Sequence, residues 1–248
     1  MSKQAFEEGV AATAEVEQQK PATTTAVATT PRTSAVGHPM GGADDFVGEV
    51  ESSDIKIPKL NIAQKIGPLS DDFPFGHWVL NRAVVLAEMG EELRFTPLRA
   101  TKTYVEALDY GSDVMPRRFG TKAEVEAAGL RTEFDGETGD KPEVNQNLDV
   151  VCLIRQTDTD SPEFSLEFEG EKYALALWTI GSWNAYNSAA KPLLTARTQY
   201  LRSFHQREWI AKTEKHVMGN GNAIAIPKLV GGPENTEEFK AWADSLVG

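Results

Sequence analysis

Residues 171–229 hold three tryptophans, Trp178, Trp183 and Trp209, among eight cations: Lys172, Lys191, Arg197, Arg202, Arg207, Lys212, Lys215 and Lys228. Three acids, Glu171, Glu208 and Glu214, share the stretch, and none falls between 172 and 207. An aromatic face stacks on a base at about 1–3 kcal/mol, whatever the base is. A lysine or arginine beside it neutralises phosphate and releases counterions. Together these make the chemistry of a surface for single-stranded nucleic acid. Stacking falls to Trp178 and Trp209, with Trp183 or Tyr186 beside them. Phosphate contact falls to Lys172, Lys191, Arg197, Arg202, Arg207 and Lys215.

Strand alternation sorts these residues onto faces. In EKYALALWTI, Tyr173, Leu175 and Leu177 share one face, read as core. Lys172, Ala174, Ala176 and Trp178 share the other, a flat face with a cation at one end and an indole at the other. The alternative puts both alanines under the following helix and Trp178 in a core gap. In REWIAKTEK, Arg207, Trp209 and Lys215 share a face suited to a backbone-tracking groove, and the same strand is equally compatible with Trp209 in the core. Lys191, Arg197 and Arg202 lie in a helical stretch with no acid from 182 to 206, either on a phosphate-facing side or on a solvated one. Lys102 with Tyr104, and Arg117 and Arg118 with Phe119, are smaller clusters of the same kind.

The chain as a whole opposes such a partner. Its 248 residues carry a formal net charge of −12. Long-range steering of a polyanion is therefore unfavourable, and any contact must be local. Motifs of catalysis are missing: there is no GxxxxGK[ST] loop, no GxSxG elbow, no HExxH and no GxGxxG turn. His38, His77, His205 and His216 have no ligand spacing, and Asp54-Ile55-Lys56 lacks a suitable partner acid. The lone Cys152 sits in an apolar run, LDVVCLIR, as a buried thiol. The expectation is a binding protein without metal, cofactor or enzymatic activity. No apolar run reaches the length of a membrane span. No secretion signal opens the chain, so a reduced cytoplasmic compartment is the default.

The elements that must carry these residues are mostly strands. Residues 1–52 are rich in Ala, Thr, Glu and Gln and read as a disordered tail, with room for a short helix over 4–19. A domain follows over 53–232, opening with IKIPKLNIAQ as an edge strand around Pro58. The stretch 109–147 reads as an insertion, with one short helix capped by Thr121 and stopped by Gly129. Glu169-Gly170 marks one hairpin and Gly219-Asn220-Gly221 another. SAAKPLLTARTQYLRSF is a helix with Pro192 in its first turn and Leu193, Leu194, Tyr200, Leu201 and Phe204 on one face. Residues 233–248 close the chain as an amphipathic helix or tail. The class is β-rich α+β, with the helix between late strands as in an oligonucleotide-binding (OB) barrel.

EGEKYALALWTIGSWNAYNSAAKPLLTAR resembles phage and prophage proteins found among replication and recombination genes, as do IPKLNIAQ…GP…FGHWVLN and LRFTPLRATKTYVE. The likeness spans about 55–229. It implies a phage-encoded single-stranded DNA-binding protein of OB type, with replication or recombination proteins as partners and homo-oligomers within reach. Such proteins often end in an acidic partner-binding tail. ENTEEFKAWADSLVG is only mildly acidic and helical in pattern, which departs from that. The rival is a virion or assembly protein, a β-rich domain with a flexible Ala/Thr arm.

Overall fold

The computed structural model describes residues 57–108, 112–157, 160–219 and 221–246. The tail expected at 1–52, with its helix at 4–19, lies outside them. In chain order the elements are β1 (Lys59–Ile62), β2 (Trp78–Leu80), β3 (Val84–Ala87), β4 (Leu93–Glu106), β5 (Arg118–Phe119), α1 (Lys122–Ala127), β6 (Val144–Arg155), β7 (Leu166–Phe168) and β8 (Glu171–Ile180). Then come α2 (Trp183–Ala185), a π turn (Tyr186–Ala190), α3 (Lys191–Gln199), a 3-10 turn (Phe204–Gln206), β9 (Arg207–Val217), β10 (Ala223–Glu234) and α4 (Glu237–Ser245). The fold is β-rich, as the composition of the strands requires. Among the described residues, no helix is long and apolar enough to cross a membrane.

One sheet runs β10-β9-β4-β6-β8-β1-β2-β3, with β5 on β4 and β7 on β8. Trp209 and Ala211 from one end meet Trp78, Leu80 and Leu86 from the other in one apolar cluster. Both ends of the sheet share a face inside that cluster, so the sheet curls into a half-barrel around it. Ala189, Ala190 and Leu193 from the helical segment fill the same interior.

The opposite face has its own core. Leu98, Leu153 and Tyr173 pack there on Phe239 and Ala243 of α4. Phe168 stacks on Trp242 with centroids 5.0 Å apart. Thr236 caps α4 by accepting from the Phe239 N–H at 3.2 Å. Both faces of β8 are therefore covered. Its inner face is Ala174, Ala176 and Trp178, which is the alternative reading of this strand and not the flat exposed face. The curl is the reason: a helix lies over the alanines, and the Tyr173 side receives α4.

Several local expectations hold. Glu169 and Gly170 take φ of 50° and 80°, the left-handed pair of a two-residue hairpin. Met218 and Asn222 close the β9–β10 turn. Thr121 accepts from the Glu124 N–H at 3.2 Å, and Gly129 stops α1 at φ 75°. Two do not. β1 is no edge strand, since it pairs parallel with β8 and antiparallel with β2. Pro58 lies just before its ladder and contributes only its carbonyl, to the Leu177 N–H at 2.8 Å. Pro192 does lie in the first turn of α3, but helical backbone already begins at Trp183, before the expected start. Pro192 has no N–H for the Ser188 carbonyl, and its ring would crowd that group. The π turn relieves this by widening the ladder, with the Lys191 N–H bonding the Tyr186 carbonyl. Tyr200 ends 77% exposed, because α3 stops at Gln199 and Tyr200 leaves the apolar stripe.

Candidate nucleic-acid interface

The corner between β8 and α2 positions Trp183. Gly181 turns the chain where a Cβ would stand 2.8 Å from the Asn147 Oδ1. Ser182 follows at φ 66°, a left-handed conformation uncommon for serine, and caps α2 by accepting from the Ala185 N–H at 3.4 Å. The indole of Trp183 is thereby turned outward and is 62% exposed. Lys191, two turns on, brings its ammonium to 5.5 Å from that ring's centroid. This is cation–π distance. Phe134, from the insertion, meets the same indole edge-on at 5.9 Å and 84°.

A second cation reaches this end of the sheet through a bulge. The β4–β6 register slips between Pro97 and Arg99, leaving Leu98 to pack on the α4 side. A bulge re-aims every residue after it. Ala100 packs toward the main core beyond the slip, and Lys102 and Tyr104 share its parity. Lys102 Nζ then lies 5.1 Å from the Tyr104 ring and 5.9 Å from that of Tyr186. Partial burial works against its charge, but the phenol groups of Tyr104 and Tyr186 outweigh this and raise its pKa.

Trp183 also lines a cleft of about 570 Å³ that opens between β1, the β8–α2 corner and the start of β10. Leu60, Ile62, Ile180 and Ile224 form apolar walls, and Asn61, Gln64 and Asn184 supply amides. Lys215 faces Ala225 across the β9–β10 ladder. Opposed residues share a face, and Ala225 lines the cleft. Lys215 is exposed.

The ten residues singled out in the sequence separate into three groups. Trp183 lines the cleft, Lys191 lies against its ring and Lys215 is opposite the lining residue Ala225, with Tyr186 buried one turn behind Trp183. Trp178 and Trp209 are interior, 3% and 5% exposed, with Trp178 in the lining of the cleft. Trp178 packs edge-on against Trp78 at 5.2 Å and Phe95 at 5.6 Å. The rest lie elsewhere. Lys172 is at the far end of β8, 4.0 Å from Asp160. Arg197 closes its own helix by donating to the Leu201 carbonyl at 3.1 Å. Arg207 donates through Nε to the Gly232 carbonyl at 3.1 Å. Arg202 is exposed in the loop after α3.

Phe134 escaped the sequence reading because it lies in a polar, turn-rich stretch with no period. Lys102 escaped prominence because its face depends on the bulge, whose one signal is Pro97 inside a strand. The acids flanking Phe134 are committed: Glu133 to Lys122 at 2.8 Å and Asp135 to Arg131 at 3.1 Å. Arg117 is likewise taken by Glu106, whose carboxyl it holds below the usual range through side-chain and backbone hydrogen bonds. Comparison of the chain with family models, with curated proteins and with solved structures gives no match.

Proposed function

We propose that the protein binds single-stranded nucleic acid without sequence preference and without catalysing a reaction. The observation that carries this is Trp183: an indole more than half exposed, with the Lys191 ammonium already against it. Exposed tryptophan is costly to leave in water, and a stacking platform beside a cation is a use that fits it. Lys102, over the Tyr186 ring, and Lys215, opposite Ala225, add positive charge near the platform. The acids flanking Phe134, Glu133 and Asp135, each have an ion-pair partner, although Lys122 and Arg131 also hold Glu126 and Glu143, so the positive charge at Trp183 is local on a protein of net charge −12.

The curled sheet supports an OB-type reading, as does the helix between the third- and second-from-last strands. The resemblance of EGEKYALALWTIGSWNAYNSAAKPLLTAR to phage replication and recombination proteins supports single-stranded DNA as the partner. The test is fluorescence anisotropy of a labelled poly-dT oligonucleotide at low and moderate salt, with a duplex of equal length as control. Binding to the single strand that weakens steeply with salt is expected. No binding at low salt would overturn the proposal. Stable oligomers by light scattering, unchanged by oligonucleotide, would then favour an assembly protein.

A further inference from the structure

We infer that the cleft beside Trp183 is a nucleobase site, which takes one base of the bound strand out of the stack. This rests on the single-strand reading above and adds to it a defined pocket. The cleft's size, about 570 Å³, is within the range of small-ligand sites. Its lining is mixed, aliphatic and amide. Aliphatic walls from Leu60, Ile62, Ile180 and Ile224 suit the faces of a flat heterocycle. Asn184 is half-buried in the lining, and its amide makes no hydrogen bond with any described residue. A primary amide carries a donor and an acceptor side by side, the arrangement that pairs with base edges. Asn61 adds a second amide, held only by a 3.4 Å contact to the Lys59 carbonyl.

Among the described residues no lysine or arginine lines the cleft; the nearby cations are Lys191, against the Trp183 ring, and Lys215, opposite Ala225 in the ladder. A phosphate would therefore stay outside and a neutral base would enter. Trp183 lines the same cleft, so one base can occupy it while the next stacks on the indole.

The test uses the full chain and two probes of equal length: an oligo-dT carrying 4-thiothymidine, and the same backbone with abasic positions. Irradiation and peptide mapping should place crosslinks on peptides containing Asn184, Asn61 or Ile224. Asn184→Leu keeps the branched shape, at somewhat larger volume, and removes the amide. It should weaken oligo-dT binding several-fold and leave the abasic probe unchanged. Crosslinks confined to other surfaces, with Asn184→Leu binding oligo-dT as the parent does, would overturn the base site and leave single-strand binding standing. Failure of the parent protein to bind either probe would overturn both. The crosslinking is read on the unaltered chain, so it decides the matter even where the variant folds poorly.

Discussion

Gln64 and Ala225 exchange two hydrogen bonds: the Gln64 Nε2 donates to the Ala225 carbonyl at 2.9 Å, and the Ala225 N–H donates to the Gln64 Oε1 at 3.0 Å. The side-chain amide thus imitates a neighbouring strand on the outer edge of β10. Thr213 adds a bond from its hydroxyl to the Gly76 carbonyl at 2.6 Å. The segment following β1 is in this way tied to the β9–β10 hairpin, and the curled sheet closes on itself without a continuous ladder. Pro227 has the same edge parity as Ala225, so its missing N–H faces outward and costs no bond to β9.

Gln64→Leu should open this seam. The substitution leaves the Ala225 N–H and carbonyl without their partner in a partly buried place. Net loss is about 1–3 kcal/mol, by the cost of unsatisfied backbone groups. Denaturant unfolding should show the loss, and amide exchange at Ala225 should quicken well beyond that of the central strands. Unchanged exchange at Ala225 would mean that the amide does not hold the edge.

Two tryptophans of one unit should respond in opposite ways. Trp178→Ala removes an indole packed on Trp78 and Phe95 and should cost about 3–5 kcal/mol of stability. Trp183→Ala removes an exposed ring and should stay within about 0.5 kcal/mol of the parent. Its oligonucleotide affinity should fall about tenfold, as one stacking contact is lost. Parallel urea titrations and anisotropy would check both, and a Trp183→Ala protein that binds like the parent would remove the platform.

What could be read from the chain follows from how local each signal is. Thr121, Gly129, Glu169-Gly170 and the glycines after Met218 act within a few residues, and each turn or cap stands where its residues place it. Trp178 and Trp209 depended on which side of a strand is inside. EKYALALWTI is apolar on both faces, so alternation alone could not choose. The choice is made by α4 and the π turn, which meet β8 from sequence positions on either side of β9 and β10. Lys102 was hidden by a single unpaired residue, Leu98, which shifts the parity of everything after it. The cleft pairs residues near 61 with residues near 225, a contact no window of sequence contains.

Cys152 should be inert and should make the fold sensitive to alkali. The thiol is fully buried, donates weakly to the Ala176 carbonyl at 3.7 Å, and is pushed up to about 12 by burial. A thiol reagent should therefore react only as the protein unfolds. In the unfolded chain the thiol ionises near its ordinary value, about 8.5. Above that pH the unfolded state has lost a proton that the folded state keeps, so stability must fall as pH rises toward 12. Below pH 8 this group contributes no pH dependence. Cys152→Ser exposes the unfolded state to no such ionisation, and a denaturation midpoint that still fell identically between pH 8.5 and 10.5 would assign the slope to other groups.

Charge reversal separates the cations at the cleft from those that merely share its stretch of sequence. Lys191 lies against Trp183, whereas Lys172 is eight residues from Ile180 along β8, about 26 Å at the usual rise of a strand. That exceeds the screening length in physiological salt, so Lys172 acts on a strand at the cleft only weakly. Lys191→Glu should lower oligonucleotide affinity by about tenfold or more and reduce the slope of affinity against salt by about one. Lys172→Glu should change both little. Arg207→Ala makes the third comparison: it frees the Gly232 carbonyl and should lower stability while leaving affinity near the parent's. Anisotropy titrations of the three variants over a salt series read all of this at once. Equal losses from Lys191→Glu and Lys172→Glu would move the binding surface away from Trp183 and spread it over the whole length of β8.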